Sequence, residues 1–384
     1  MPDARPMIQS DDRWQNLTAL ALHGLRSFYR DEERLPHTML WNGLNARPSG
    51  INVRYALISL IGLAKARSQH LPVDDLMNSL WRRVNAHRDS IADSAGDQGL
   101  AHWAQVLSGS DASFSAIHAK QVFHAHASSL DSVHLAWVLL GADHSLRWGT
   151  NLEAEEIAQS AKSALLKLYN PATNLFYRHA RPGLVSRISR RVPCFANQIY
   201  PVLALAIHGR RTGCEQSLIV GRRVAENLCR LQGRLGQWWW LYDAATGGVV
   251  DGYPVFSVHQ DGMAPMSLLE TTISGGRSYQ TEIDKGLSWI FGVNELETNL
   301  CHAQEGMVLR DIHKRGIGRV RRAMRSAAWC YGLVKNQQAA GTAGQFVINH
   351  ECRPYHLGWI LYAAAALAES ARPKAREHKV EAGV

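Results

Sequence analysis

The chain has 384 residues, of which 46% are hydrophobic and 20% are charged, and its formal net charge is +9. This length accommodates one large domain or two ordinary ones, and the composition is globular, which excludes a disordered or fibrous chain. No run of about 18 apolar residues is free of charge, and the first thirty residues contain no uninterrupted apolar signal segment, so we expect neither a membrane span nor secretion.

Hydrophobic periodicity predicts two kinds of helix that alternate along almost the whole chain. Amphipathic helices with a charged face are predicted at 12–30, 73–88, 113–124, 153–168, 213–232 and 278–292. Segments that are apolar around nearly their whole circumference lie at 52–66, 97–106, 128–142, 195–208, 257–270 and 353–370. The segment 318–334 is either an extra helix or part of the sixth amphipathic one. We expect one domain at 12–371, with disordered tails at 1–11 and 372–384.

A helix that is apolar on every side has to be buried on every side. Six such helices alternating with six amphipathic ones predict an inner ring inside an outer ring, an all-α (α/α)6 toroid. Connections from outer to inner helices are mostly long, as at 31–51, 169–194, 233–256 and 293–317, whereas those from inner to outer helices are short. The elaborated face, which holds the N-termini of the inner helices, is therefore expected to carry the function.

Two loop segments resemble each other, YNPATNLFYRHA at 169–180 and LYDAATGGVVDGY at 241–253. Each precedes an inner helix, and the glycines Gly247 and Gly248 allow the positive φ of a tight turn. We therefore predict small β-hairpins at equivalent points of the functional face.

Polar residues gather in the first turns of the inner helices, which a toroid brings together in one funnel. Asp and Asn at such positions are common N-caps, and capping is the favoured explanation for Asp97 and Asp131. Capping explains His, Gln, Arg and Tyr poorly, so the set is expected to line a substrate pocket. Its members are Arg54, Tyr55, Asp131, Asn197, Gln198, Gln260, Arg353, Tyr355 and His356.

Asp261 is the leading candidate for a catalytic carboxylate, with His259 beside it in the same helix start. A carboxyl group in partly apolar surroundings has a raised pKa, which suits a general acid. The alternative is a structural aspartate bonded to backbone amides or to an arginine. Asp243 and Glu351 are candidates for the second carboxylate that cleavage of a glycosidic bond requires.

Three consecutive tryptophans precede the second hairpin. If they lie in a strand, Trp238 and Trp240 share one face and are expected to stack on a sugar ring, whereas Trp239 packs on the rim. The nearby Tyr242 and Tyr253 are expected to extend the same wall.

Metal and cofactor sites are not expected. His350, Cys352 and His356, with Cys330 upstream, are zinc-ligand types, but their spacing matches no standard site. The sequence lacks HExxH, a P-loop, a Rossmann glycine fingerprint and GxSxG. The six cysteines form no CxxC pair and indicate reduced thiols in a cytoplasmic protein.

Basic residues concentrate at Arg181–Arg191 and Arg310–Arg325. Such runs are usually solvated faces, but in rim loops they would steer an anionic substrate and allow peripheral contact with a membrane. No nucleic-acid module is present, so nucleic acid is not an expected partner. The oligomeric state stays open.

Over about residues 12–370 the sequence resembles the (α/α)6 toroid group of six-hairpin glycosidases, polysaccharide lyases and sugar epimerases. The resemblance rests on the alternating helices and on polar inner-helix starts such as FANQIYPVLALA and SVHQDGMAPMSLL. It implies a site in the funnel and a carbohydrate-active hydrolase or lyase that uses carboxylate acid–base chemistry. The implied substrate is an oligosaccharide or a lipid-linked or anionic glycan.

Two alternatives remain open. An isoprenoid cyclase or prenyltransferase also uses an aromatic-lined helical toroid, although DxDD is absent and only RPYHLGWILYA faintly resembles the last inner helix of the latter. A non-catalytic helical scaffold in a biosynthetic complex would dock through the tryptophan hairpin.

Overall fold

The computed structural model describes residues 10–31, 33–42, 46–110, 114–147, 149–316, 319–332 and 343–372. Most of both predicted tails, 1–9 and 373–384, lies outside these residues. Ser10 and Asp11 belong to the first helix, so that helix begins two residues before its expected start. No helix in the described ranges has the length and apolarity that crossing a bilayer requires.

Within the described residues, fourteen helices follow one another along the chain. They are α1 (Ser10–Phe28), α2 (Val53–Arg67), α3 (Asp74–Ala86), α4 (Ala95–Ser108), α5 (Ala116–His126), α6 (Ser132–Ser145), α7 (Leu152–Lys167), α8 (Leu184–Arg191), α9 (Ala196–Thr212), α10 (Glu215–Leu231), α11 (Ala264–Ile273), α12 (Gln280–Ile290), α13 (Arg319–Cys330) and α14 (Pro354–Ser370). A single π-helical turn, His259–Met263, leads directly into α11.

Six of these helices form a closed inner ring. In order around the ring, α2, α4, α6, α9, α11 and α14 each pack on the next, and α14 packs on α2. Outside them lie α1, α3, α5, α7, α10 and α12, each against an inner helix or the turn that precedes it. The predicted (α/α)6 toroid is confirmed, and the segment near 318–334 is an additional helix, α13, that contacts α8 rather than the outer ring.

The inner helices approach so closely that some contacts admit only glycine. A Cβ atom on Gly62 would lie 2.1 Å from the backbone oxygen of Gly358, where α2 meets α14. One on Gly141 would lie 2.3 Å from the backbone oxygen of Gly99, where α6 meets α4. The sequence thus uses glycine on all-apolar helices to let their backbones touch.

Aromatic side chains fill the axis of the ring. The rings of Trp103 and Trp359 have centroids 5.7 Å apart, and those of Tyr200 and Trp359 are 5.9 Å apart. The Trp359 indole N–H donates to the Tyr200 hydroxyl at 2.8 Å, so this buried polar atom is satisfied. The ring is therefore solid below the inner-helix N-termini and forms the floor of a funnel.

Short antiparallel strands lie on the funnel face. They are β1 (Thr38–Trp41), β2 (Ala46–Ser49), β3 (Tyr169–Asn170), β4 (Leu175–Phe176), β5 (Leu241–Tyr242), β6 (Val249–Asp251), β7 (Val255–Phe256), β8 (Cys301–His302), β9 (Met307–Val308), β10 (Asp311–Lys314), β11 (Phe346–Asn349) and β12 (Glu351–Cys352). Both predicted hairpins are present, as β3–β4 and β5–β6, and β8–β9 is a third. The orders β12-β1-β2 and β11-β10-β7 form two three-stranded sheets.

The connections before α4 and α6 are short and carry no hairpin. The funnel wall is consequently low where these two helices begin and high elsewhere. The first turn of α4 is nevertheless buried, from Ala95 to Gln98.

Candidate active site

An arginine–carboxylate pair joins the first turns of α2 and α4. The Arg54 Nε and Nη2 atoms lie 2.5 Å and 2.9 Å from the two carboxylate oxygens of Asp97. The N-cap of α4 is Ser94, whose hydroxyl accepts from the Asp97 backbone N–H. The expectation that Asp97 is a cap is therefore wrong, because its carboxylate turns toward the funnel and Arg54.

A second carboxylate begins α6. Asp131 is the N-cap, as expected, and its Oδ1 also lies 2.7 Å from His134 Nδ1, while its Oδ2 is 3.9 Å from Arg178 Nε. Burial acts to raise the pKa of Asp131, but the hydrogen bond and charge of His134, with the charge of Arg178, outweigh it and lower that pKa. A Cβ atom on Gly96 would lie 2.3 Å from the His134 ring, so His134 packs directly beside Asp97.

Aromatic rings line the funnel beneath this cluster. The Arg54 guanidinium lies over the Trp137 ring at 5.4 Å, and Trp137 packs edge-on against Tyr200 at 5.4 Å. On the other side of α2, the rings of Tyr55 and Tyr355 are 4.5 Å apart. Stacked faces and an ordered cation are the features that hold a sugar ring and its hydroxyl groups in place.

Glu351 lies at the same end of the ring, on β12 just before α14. Its Oε2 accepts from Arg310 Nη1 at 2.6 Å and from Arg353 Nη2 at 3.2 Å. Arg353 also donates to the Tyr55 hydroxyl at 2.8 Å. Because Glu351 accepts hydrogen bonds from both Arg310 and Arg353, it holds these two arginines in position.

A cavity of about 830 Å³ opens beside this cluster. Residues of α8 and α13 line one side of it. Its polar and aromatic lining consists of Arg178, Ser189, Trp240, Phe256, Arg310, Asp311, His313, Ser326 and Asn349. Trp240 is stacked on His259 at 6.0 Å with an interplanar angle of 15°. Arg178 connects the cavity to Asp131, and Arg310 connects it to Glu351.

The tryptophan triplet precedes β5 instead of lying in a strand, so the expected alternation of faces fails. Trp238 is 1% exposed and packs on Phe195 in the core, and Tyr242 is buried against the same ring. Trp239 is also buried, in agreement with its expected packing role. Trp240 alone of the predicted pair lines the cavity.

Three predicted binding residues instead form hydrogen bonds that hold the fold together. The Gln198 side chain bonds the backbone N–H and C=O of Phe176, each at 2.8 Å, and fixes β4. Asn197 donates to the Ser132 hydroxyl at 3.1 Å, which ties α9 to α6. Gln260 donates to a backbone carbonyl on β7 at 3.1 Å. All three are buried, so their polar atoms are used in the fold.

Tyr253 lies in the hairpin region, half-buried, and donates to Glu295 at 2.6 Å. Burial, followed by the charge of Glu295, raises its pKa. Its ring packs on Trp239 and Phe346. The structure thus gives Tyr253 a packing contact where a sugar contact was expected.

Asp261 is fully buried in the π-helical turn, with its Oδ1 2.7 Å from His356 Nε2. Burial raises its pKa against the opposing charge of His356, which is the expected direction. His259, also buried, has its pKa lowered by burial to about 3 and is therefore a neutral ring packed on Phe195. Asp261 has no accessible surface, and the His259 ring is enclosed by Phe195, Trp240 and Phe256, so direct catalysis by either does not fit the structure.

Asp243 has a structural environment. Its carboxylate accepts from Arg191 at 2.9 and 2.7 Å, from Thr246 at 2.7 Å, from Trp329 at 2.9 Å and from the Ala245 N–H at 2.9 Å. Burial opposes this effect, but the bonds from Arg191, Thr246 and Trp329 lower its pKa to about 2. With every oxygen engaged, Asp243 anchors the hairpin turn, and the proposal that it is catalytic is corrected.

The histidine and cysteine side chains near α14 that are of zinc-ligand type each contact a different neighbour. His350 packs on Trp41, Cys352 is buried, and His356 pairs with Asp261. In the part of the chain that the structure describes, no group of three His, Cys, Asp or Glu residues is arranged to hold a metal ion. All six cysteines are free thiols.

Several residues of the funnel were not expected from the sequence, among them Trp137, Arg178 and Phe256, whereas Arg310 belongs to a basic run that was expected to steer an anionic substrate. For Asp97 the sequence does hold a signal. Ser94 stands three residues before it, the spacing at which a serine caps a helix, so the serine and not the aspartate is the better cap candidate.

No protein-family model matches the sequence, and no curated protein matches it either. Several solved structures do match the fold of this chain. An unsaturated glucuronyl hydrolase specific for heparin superposes with a TM-score of 0.59 at 10% identity, covering 94% of this chain and 98% of its own. The unsaturated glucuronyl hydrolase of Bacillus sp. GL1 gives 0.57 at 14% identity over 93% and 96%.

An inactive variant of an α-1,6-mannanase from Salegentibacter sp., in complex with α-1,6-mannotriose, gives a TM-score of 0.58 at 11% identity over 94% and 100% of the two chains. This chain has the toroid fold of these glycosidases. Identities this low establish the fold alone, and they agree with the closed double ring described above.

Proposed function

We propose that the protein is a carbohydrate-active enzyme of the glycoside hydrolase or lyase type and that its substrate, an anionic glycan, binds in the funnel. The observation that carries the proposal is the pair of carboxylates, Asp97 and Asp131, on adjacent inner helices beside Arg54 and above an aromatic floor. Cleavage of a glycosidic bond requires two such groups near the scissile bond.

The two carboxylates have different surroundings, which suits two different roles. The lowered pKa of Asp131 keeps it ionised at neutral pH, where it holds the His134 ring by a hydrogen bond. The same hydrogen bond orients the His134 ring, so His134 is placed to pass a proton to the leaving oxygen. In a hydrolase, Asp97, oriented by Arg54, would stabilise the positive charge that develops on the sugar ring and take the proton of the water that attacks the sugar carbon. In a lyase it would instead withdraw a proton from a ring carbon as the leaving oxygen departs.

The walls of the funnel fit an anionic sugar. Trp240 and the Tyr55–Tyr355 pair present ring faces for stacking, and Arg178 and Arg310 face the cavity next to them. Two of the structural neighbours are hydrolases of unsaturated glucuronyl groups, one of them specific for heparin, so anionic glycans are the substrates to test first.

The test is a thermal-shift screen of neutral and uronate-containing oligosaccharides, followed by product analysis of each ligand that binds. A hydrolase releases reducing ends alone, whereas a lyase also forms an unsaturated uronate with ultraviolet absorbance. Asp97→Asn and Asp131→Asn should each reduce turnover by about 10²–10⁴-fold, the usual contribution of acid–base groups.

The matched control is Asp75→Asn, which removes an exposed carboxylate from outer helix α3 and should leave turnover unchanged. Full activity of Asp131→Asn on a substrate that the unmodified protein cleaves would refute the assigned roles. Absence of binding across the whole panel would count against the proposed function itself.

A further inference from the structure

The net charge of the chain comes from two segments, 178–191 and 310–325, which we call the basic rim. They hold 12 of the 42 lysines and arginines but only 1 of the 33 acids, Asp311. The remaining 30 basic and 32 acidic residues give the rest of the chain a net charge of −2. Three of these cations, Arg178, Arg191 and Arg310, pair with acids outside the segments, and the others give this part of the chain its cationic character.

The fold brings the two segments together at the outer side of the funnel. Helix α8 contacts α13, and Arg191 Nη1 donates to the Cys330 carbonyl oxygen at 3.1 Å. The Trp329 indole donates to Asp243 at 2.9 Å, which fastens the end of α13 to the β5–β6 hairpin. Both helices also line the cavity, so the helices that carry much of the basic rim border it.

Several cations of the basic rim face solvent. Arg181, Arg187, Arg190 and Arg315 are exposed. Within the described residues, none of these four forms an ion pair with an acid, and the single acid of the rim, Asp311, is buried and lies 2.9 Å from His313. Their charges are therefore free to act on an external partner.

Helix α13 adds exposed apolar surface to this charge. Met324 is 67% exposed, and Tyr331, seven residues later and just beyond the helix, is 74% exposed. Residues seven apart lie on one side of a helix, whereas Ser326, two residues after Met324 and nearly opposite it around the helix, lines the cavity. Exposed apolar side chains among cations are typical of a helix that lies in a membrane interface.

From this juxtaposition we propose that the basic rim docks the protein on an anionic phospholipid surface, with α8 and α13 against the headgroups. A soluble polyanion would be attracted by the same arginines, but it gives no reason to expose Met324 and Tyr331. The proposal goes beyond the proposed glycan reaction and does not depend on it. In this orientation the funnel opens toward the lipid headgroups.

The test is co-sedimentation of the full chain with vesicles of phosphatidylcholine alone and of equal parts phosphatidylcholine and phosphatidylglycerol. We expect binding to the anionic vesicles, weakening as salt rises, and none to the neutral ones. Each cation near an anionic surface strengthens binding roughly fivefold, so the Arg187→Glu/Arg190→Glu variant should bind at least about 25-fold more weakly.

Two further variants make the result specific. Arg82→Glu/Arg223→Glu changes the net charge equally, at exposed positions on outer helices α3 and α10, and should bind as the unmodified protein does. Met324→Ser should weaken binding several-fold while leaving the salt dependence unchanged. Equal losses in the rim and control variants, or binding to heparin but not to anionic vesicles, would overturn the proposal.

Discussion

The assignment of Asp243 as a structural anchor predicts a specific stability loss. Asp243→Asn keeps the size of the side chain but removes its charge and replaces one acceptor oxygen with an NH₂ group. That NH₂ group then faces the Arg191 guanidinium or the Trp329 indole N–H, both of which are donors. The substitution therefore removes two or more charge-assisted hydrogen bonds from a buried site.

Each such bond contributes about 1.5–3 kcal/mol, and part of this is regained by relaxation, so we expect a loss of about 3 kcal/mol. At about 2 °C per kcal/mol for a large domain, Tm should fall by roughly 6 °C. Turnover measured well below Tm should stay within about twofold of the unmodified protein, because Asp243 has no access to substrate.

The pH dependence provides an independent check. The pKa of Asp243 falls from its ordinary value of 3.8 to about 2 in the folded protein. This depression stabilises the fold by about 2 kcal/mol above the unfolded pKa, and the contribution is lost as pH falls through the folded pKa. The Tm gap between the two proteins should therefore shrink as pH falls from about 4 toward about 2.

Calorimetric melting over this range, with Asp75→Asn as control, measures both effects. An unchanged Tm, or a gap that does not depend on pH, would refute the anchoring argument. Loss of turnover without loss of Tm would instead support a catalytic role for Asp243.

Three other predictions follow from buried contacts and from the cavity wall. Gly62→Ala should cost several kcal/mol in a denaturant titration, because its Cβ would overlap backbone, whereas Gly221→Ala, with 3.6 Å of room on outer helix α10, should be neutral or stabilising. Glu270→Gln should cost about 2 kcal/mol, since it neutralises a buried carboxylate that lies 2.9 Å from Arg210 and 3.7 Å from Lys65, and a normal Tm would contradict this. The loss stays moderate because Lys65 keeps Glu369 at 2.9 Å. Trp240→Ala should raise the KM for a cleaved glycan about tenfold with little change in kcat. An unchanged KM would mean that Trp240 does not contact the substrate.

The architecture was predictable because its signal is local. A helix such as α6, apolar on every side, fits only in an inner layer, and six of them in alternation with amphipathic helices leave few other arrangements. The hairpins were predictable for a similar reason, since glycines at Gly247 and Gly248 mark a turn wherever they occur.

The site was harder to predict because an all-apolar helix has no hydrophobic face from which its rotation can be read. Asp97 and Gln98 are adjacent, yet Asp97 turns to Arg54 while Gln98 bonds the carbonyl oxygens of Ile91 and Ala92. Sequence periodicity cannot tell these two directions apart. The same limit explains why buried Asp261 was ranked first, since only the packing of α14 shows that it faces His356.

The role of Glu351 depends on partners that are distant in sequence. Arg310 reaches it from the start of β10, and Arg353 reaches it from the same strand end. These contacts follow from the pairing of β10 with β11 and of β12 with β1, which no local pattern specifies.

The most direct test of the account is the structure of the Asp97→Asn variant bound to a glycan identified by the thermal-shift screen. The account predicts a sugar ring in the funnel, in contact with Trp240 and within hydrogen-bond distance of Asp131 or His134. Density confined to the charged cavity around Lys65 and Glu270 at the opposite end of the inner helices, or to the outer surface, would contradict it.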